Sequence, residues 1–151
     1  MQLKRVVVTG LGALTPIGNN IQEYWNALIS GKSGAAPITY YDTEKHKTKF
    51  ACEVKNFNIE EFIDRKEARR MDKFAQYAIV AGEQAIADAG ILDSNVNKQR
   101  VGVIWGAGIG GLETFQEEVL SYAKGDGTPR FNPFFIPKMI LDIAAGQISM
   151  K

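Results

Sequence analysis

Strands alternating with helices predict an α/β layered fold: a mainly parallel sheet with helices on both faces. Two observations carry this. Val6-Val7-Val8 and Val101-Gly-Val-Ile-Trp105 are short apolar runs, rich in β-branched residues, that read as fully buried strands. Each is followed by a glycine-rich turn, residues 10–18 and 106–111, and each turn leads into a segment of helical character.

The elements follow in order. Val6–Val8 is the first strand, ended at Thr9-Gly10. Gly10, Gly12, Pro16 and Gly18 make a loop. Asn20 with Glu23 three residues on is a capping-box pattern, so a helix is expected over 21–30, with Ile21, Trp25, Leu28 and Ile29 at helical spacing and Gly31 as its stop. Residues 34–49 are turn-rich and polar, and 49–55 read as a short strand. Asn58 with Glu61 repeats the capping-box pattern ahead of a short helix. Asp72 is placed to cap a long helix running to Ala89, stopped by Gly90. Its Ala75, Ala78, Ala81, Gly82, Ala85 and Ala89 permit close approach of a sheet or another helix. After the second strand and its glycine turn, 112–124 is helical and Gly125 closes it. Residues 126–133 are loop, and the apolar stretch 134–150 is expected to be helix for most of its length.

Composition bounds the rest. The chain has 151 residues, 45% hydrophobic and 23% charged, enough apolar material for one core and close to the globular average. That excludes a disordered tail, a collagen-like rod and a disulfide-stapled miniprotein. Eighteen basic against seventeen acidic residues leave +1, so no global electrostatic case exists for nucleic acid or membrane binding. A single cysteine, Cys52, forms no intrachain disulfide and suits a reducing compartment. The N-terminus lacks the long apolar region of a signal peptide, and no stretch approaches the ~20 apolar residues of a membrane span. A soluble, cytoplasmic protein is expected. Two strands and a third candidate are too little sheet for at least four helices, and the chain stops at Ile148-Ser-Met-Lys151 without a polar taper. The expectation is therefore the front piece of a larger protein; the alternative is a small domain that dimerises.

Few motifs carry chemistry by themselves. Gly106-Ala-Gly108-Ile-Gly-Gly111 satisfies the G-x-G-x-x-G pattern between a strand and a helix, which in an NAD(P)-binding Rossmann domain cradles a pyrophosphate. Its position beyond residue 100, and the lack of an acidic residue ending a following strand, favour instead a tight turn against which another backbone packs. Arg65, Lys66, Arg69, Arg70 and Lys73 form a basic cluster, with 66, 69, 70 and 73 on one face if helical. It reads either as a dock for an anionic partner or as a solvated face balanced by Asp64, Glu67 and Asp72; the residues alone favour the latter. Cys52, flanked by strand-like residues, reads as a buried structural thiol and not a nucleophile. His46 reads as a surface-loop histidine. One His and one Cys build neither a zinc site nor a Ser-His-Asp set.

Taken together, the segments resemble the N-terminal portion of the β-ketoacyl-acyl-carrier-protein synthases, and among them the elongating (type II system) condensing enzymes of bacterial fatty-acid synthesis. The resemblance rests on Arg5-Val-Val-Val-Thr-Gly-Leu-Gly-Ala-Leu-Thr-Pro-Ile-Gly18, Gly31-Lys-Ser-Gly34, Arg65-Lys-Glu-Ala-Arg-Arg-Met-Asp72, Gly106-Ala-Gly-Ile-Gly-Gly-Leu-Glu113, Asn132-Pro-Phe-Phe-Ile-Pro137 and Ala144-Ala-Gly146. Each is weak alone. In this order, across nearly the whole chain, they are specific, and they displace the dinucleotide reading.

The resemblance implies a thiolase-like layered fold, with residues 1–151 as the N-terminal part of a condensing-enzyme domain whose remainder and C-terminal half lie outside this sequence. It implies an acyltransferase that condenses an acyl-enzyme with malonyl-acyl-carrier protein, works as a homodimer and takes no cofactor. The family's catalytic cysteine falls shortly after residue 151, and its histidines and lysine much later. Neither Cys52 nor His46 matches a catalytic position, so the chain alone is expected to be inactive. By the same resemblance Ile109 lines the acyl pocket, Phe135 reaches the pocket of the partner subunit, and Lys66, Arg69, Arg70 and Arg130 meet the acidic acyl carrier protein. A chain-length-factor-like partner subunit, which keeps the fold without the cysteine, is the alternative of another class. Faces such as 134–148 are expected to be exposed without the remainder, which favours association.

Overall fold

The computed structural model describes residues 3–93 and 95–151. It divides into two compact units, one of Met1–Phe57 with Glu83–Asn95, the other of Asn58–Gly82 with Val96–Lys151.

In the first unit the loop after Val6–Val8 closes on a small bridge: the Thr15 and Gly18 backbones exchange hydrogen bonds of 2.9 and 3.3 Å around Pro16-Ile17. Helix α1 then runs over Ile21–Ile29. Asn20 caps it, its Oδ1 accepting the Glu23 N–H at 2.9 Å. The Glu23 carboxylate reaches back to the Asn19 N–H at 2.8 Å, one residue earlier than the expected box. Gly31, at φ +67, ends the helix in the left-handed conformation that glycine adopts freely. Strands β1 (Ala36–Pro37) and β2 (Phe50–Ala51) pair antiparallel, Ala36 with Ala51 and Pro37 with Phe50. Glu53 pins the approach to them, accepting the Thr39 N–H at 2.9 Å and hydroxyl at 2.7 Å. Those Thr39 hydrogen bonds, backbone first, lower the Glu53 pKa.

In the second unit Asn58 caps a 3-10 turn, Ile59–Glu61, and helix α2 spans Arg65–Ala68. Helix α3, Lys73–Ala89, begins here and ends in the first unit. Helices α4 (Leu112–Lys124), α5 (Phe135–Met139) and α6 (Ile143–Ser149) complete it. The core gathers Ile63, Ala68, Met71, Ala75 and Ile79, with Ile59, Phe74 and Ile143 against them. Ala75, Ala78 and Ala144 are fully covered. Small residues there let helix backbones approach, and at Gly82 an added Cβ would press on Ile148 at 3.2 Å. Pro137 is tolerated in the first turn of α5, where its missing N–H has no intrahelical partner to lose.

Two expectations are corrected. Residues 6–8 and 101–105 form no strand and are not buried: Val6 is 90% and Ile104 99% exposed. A central parallel strand obtains its backbone hydrogen bonds only from neighbours in its sheet, and among the described residues the only sheet is β1–β2. The layered parallel sheet is thus not formed within these residues. The stretch 134–150 is helical over most of its length, as expected, in two pieces, α5 and α6. The Met139 carbonyl accepts the Gly111 N–H at 3.1 Å instead of a bond four residues on, and the backbone turns extended at Ile140. Cys52, which directly follows the two-residue strand β2, is also exposed, not buried.

Candidate functional site

The basic corner of the second unit is built from its apolar anchors. Ile63, Ala68 and Met71 turn into the core, which leaves Lys66, Arg69 and Arg70 outward and exposed. Asp64 caps α2, its Oδ1 accepting the N–H groups of Lys66 at 2.6 Å and Glu67 at 3.1 Å. Gln76 holds the far end of the corner, donating to the carbonyls of Ala68 at 3.0 Å and Met71 at 3.4 Å.

The basic residues do not share one helical face, since α2 ends at Ala68 and Lys73 belongs to α3. Arg69 and Lys73 line a cleft of about 480 Å³ with Lys138, Glu113 and Glu117. Lys66 and Arg70 line a neighbouring hollow of about 380 Å³ beside Gln147. Their charge partners differ as well. Lys73 meets Glu113 at 3.0 Å and Arg65 meets Glu60 at 3.4 Å. Lys66, Arg69 and Arg70 have no carboxylate partner among the described ion pairs. Of the counter-charges that sequence alone supplied, Asp64 caps α2 and Asp72 is turned inward, while Glu67 lines the hollow of Lys66 and Arg70 without forming a described ion pair with them. Arg70 instead lies over the Phe134 ring, 5.1 Å from its centroid, within cation–π range. Arg130 stands apart in the Asp126–Pro133 loop, where its guanidinium reaches Asp126 at 3.4 Å. Hydrogen bonds from the Thr128 backbone and side chain lower the Asp126 pKa.

The glycine turn leads into α4, whose Glu113 and Thr114 line the same cleft as Arg69 and Lys73. Gly110 has φ +87, and a Cβ there would come within 2.4 Å of the Met139 carbonyl; at Gly111 it would meet the Lys138 carbonyl at 2.4 Å. The turn is therefore shaped by the end of α5. Ile109 projects from it, 68% exposed. The turn meets α5 at its last residues, whereas Phe135 is its first. Phe135 is half-buried in an aromatic row, with ring centroids 6.2 Å from Phe115 and 5.8 Å from Phe131, which in turn lies 5.7 Å from Tyr122.

A dinucleotide phosphate has no place at the start of α4. The Gly111 N–H donates to Met139, the Leu112 N–H to Gly110 at 2.9 Å, and the Thr114 N–H to the Asp72 carboxylate at 3.1 Å. An acidic side chain already occupies the position that an anion would take. His46 lies in an exposed loop against the Tyr41 ring, centroids 5.2 Å apart. No cluster of metal-ligating side chains occurs among the described residues, and no helix there is long and apolar enough to cross a membrane.

Sequence reasoning missed the pairing of Asp72 with Thr114 and the aromatic row. Asp72 was legible as a cap for α3, but its second oxygen gives no local signal, because the partner is 42 residues away. The row had a partial signal in the density of aromatic residues over 115–135.

Comparison with known proteins places these features in a family. The family model described as "Beta-ketoacyl synthase, N-terminal domain" matches residues 3–151. The 3-oxoacyl-[acyl-carrier-protein] synthase 2 of Staphylococcus aureus (strain COL) is 51% identical over 150 residues, which is 99% of this chain and 36% of that protein. Among solved structures, the ishigamide ketosynthase/chain length factor is similar with a TM-score of 0.78 at 27% identity, over 95% of this chain and 36% of that one. A type II polyketide ketosynthase solved in complex with its acyl-carrier protein has a TM-score of 0.78 at 25% identity, over 98% of this chain and 38% of that one. The chain thus spans little more than a third of the length of the relatives it matches.

Proposed function

The chain belongs to the β-ketoacyl synthase family, N-terminal domain, and from that premise we propose that the protein carrying it is an acyltransferase of fatty-acid elongation. In this reading an acyl group passes from the thiol of its carrier's pantetheine arm to an enzyme cysteine, forming a thioester and freeing the carrier thiol. Malonyl-carrier then loses CO₂. The resulting carbanion attacks the acyl-enzyme carbonyl and expels the cysteine thiolate, giving a β-ketoacyl-carrier two carbons longer. Nucleophilic catalysis of this kind needs an activated thiolate and an oxyanion stabiliser. Neither Cys52 nor His46 is assigned to either task; both belong to residues outside 1–151.

The contribution of this chain is recognition. Lys66, Arg69 and Arg70, with Arg130, meet the acidic carrier, and such a rim steers encounter more than it fixes affinity. The observation that supports this best is that the three corner residues matching the family's basic rim are those without a carboxylate partner among the described ion pairs, while Arg65 and Lys73 beside them are paired. Ile109 lines the acyl pocket. Phe135 reaches the partner's pocket in a cytoplasmic homodimer, where its ring is pre-oriented by Phe115 and Phe131. The runs 6–8 and 101–105 become strands of a mainly parallel, thiolase-like layered sheet, whose other strands come from the rest of the domain.

The test is the condensation assay on the complete protein with acyl-carrier and malonyl-carrier. Charge reversal of Lys66, Arg69 and Arg70 together is expected to raise the apparent KM for carrier-bound substrates by roughly tenfold or more, an effect that shrinks at high salt. A fall in kcat alone refutes the docking role. A chain-length-factor-like partner subunit remains the second reading, supported by the likeness to the ishigamide ketosynthase/chain length factor. Sequencing the cysteine position in the complete protein separates the two.

A further inference from the structure

We propose that Asp72 is a positioning residue: through Thr114 it fixes the carrier-docking corner and the acyl-pocket turn in one register, so that carrier recognition and chain-length selection are set together. The inference rests on the function proposed above and adds a residue to which that reading gives no role.

Asp72 is 8% exposed. Its Oδ2 accepts both the hydroxyl of Thr114 at 2.6 Å and the Thr114 N–H at 3.1 Å. Its Oδ1 accepts the Phe74 N–H at 3.4 Å. One carboxylate therefore serves the first turns of two helices, α3 and α4, and lies where both helix dipoles favour negative charge. No cation pairs with it among the described ion pairs. A buried carboxylate held only by hydrogen-bond donors depends on those donors being in place, so the joint fixes a geometry more strictly than an apolar contact of equal size.

What the joint fixes is given by its neighbours. On one side Arg69 and Arg70 precede Asp72 by three and two residues, and Gln76 ties their segment back through the Ala68 and Met71 carbonyls. On the other side Thr114 follows Ile109 by five residues. The intervening Gly110-Gly111 is wedged against the α5 carbonyls, with no room even for a methyl group. The Lys73–Glu113 ion pair crosses beside it at 3.0 Å. A shift of Thr114 therefore has no slack to take it up before it reaches Ile109.

The experiment uses the complete enzyme. Thr114→Val removes the hydroxyl while keeping size and the backbone donor; Thr114→Ser restores the hydroxyl; Asp72→Asn keeps one acceptor oxygen. The KM for acyl-carrier and the relative kcat/KM across a series of acyl lengths are measured for each. Thr114→Val is expected to change both by about three- to tenfold, the weight of one buried hydrogen bond, with Thr114→Ser close to the parent and Asp72→Asn in between. A Thr114→Val enzyme with lowered melting temperature or kcat but parental KM and parental length ratios overturns the inference and leaves the pair purely structural. An unmodified enzyme with no carrier-dependent condensation overturns the functional reading itself, and the inference with it. The unmodified control therefore separates the two failures.

Discussion

The two glycine turns look alike in sequence and helix backbone closes on both, but different groups hold them. The first, over 10–18, lies along the C-terminal half of α3 and is gripped by side chains. Asp88 accepts the Leu11 N–H at 2.9 Å, and Gln84 accepts from Ala13 at 3.1 Å while donating to the Asn19 carbonyl at 2.8 Å. The second, over 106–111, is held by backbone and by one distant carboxylate: the carbonyls of Lys138 and Met139 close on Gly110 and Gly111, and Asp72 secures the helix that follows. Glycine spacing therefore says where a backbone comes close. It does not say what comes close, and phosphate, carbonyl and helix flank all ask for the same missing Cβ.

The sharpest break of this comparison is to add that Cβ. At Gly10 it would come within 2.3 Å of the Ala85 carbonyl, and at Gly111 within 2.4 Å of the Lys138 carbonyl. Both obstacles are helix backbone, which cannot swing aside as a side chain does. Gly10→Ala and Gly111→Ala are each expected to destabilise the complete protein by about 3 kcal/mol, read as a lowered urea midpoint. Equal losses mean that the two modes of holding are equally rigid. A loss confined to Gly111 means that the side-chain grip on the first turn yields.

How much of this was legible follows the range of the interactions. Local signals read well. Asn20 and Glu23 cap α1 within a residue of expectation, Gly31 and Gly90 stop their helices at positive φ, and α4 occupies its expected range, 112–124. The tight turn over 106–111 was legible too, because adjacent glycines between an apolar run and a helix mark a place where the chain bends sharply against something else. Non-local signals did not read. Val6–Val8 and Val101–Trp105 have the composition of buried strands, yet strand formation depends on neighbours that composition does not name. The shared basic face failed for a related reason: α2 ends at Ala68 and Lys73 opens α3, although Ala68, Met71 and Ala75 keep the spacing of one continuous helix face, so nothing local announces the break. The break at Ile140 required knowing that Gly111 takes the Met139 carbonyl.

The next expected effect sharpens the comparison on a side chain of the second turn that has no counterpart of similar role in the first. Ile109 stands out of its turn at 68% exposure. If the second turn is the wall of an acyl pocket, Ile109→Phe fills space that the fatty chain would occupy. Each excluded CH₂ forfeits about 0.8 kcal/mol of burial, so losing room for two carbons lowers kcat/KM for the longest acyl substrates by roughly tenfold and leaves short ones unchanged. Competition between acyl-carriers of different length reads this directly. An unchanged length preference removes Ile109 from the pocket and makes the two turns equivalent scaffolds.

The smallest expected effect tests the turn from within. Gly106 and Gly108 complete the pattern that a dinucleotide site would need, but neither has a positive φ and neither has an atom within 4 Å of an added Cβ. Where glycine is not required, alanine restricts the unfolded chain more than it strains the fold. Gly106→Ala and Gly108→Ala are therefore expected to lie within about 0.5 kcal/mol of the parent, against the several-fold larger loss at Gly111. The contrast matters because residues 101–105, just before them, leave their backbone without a sheet partner here. A loss at Gly106 or Gly108 as large as that at Gly111 would break the contrast in an informative way. It would mean that, in the complete protein, another segment of backbone lies against this part of the turn, and that all of its glycines serve close packing.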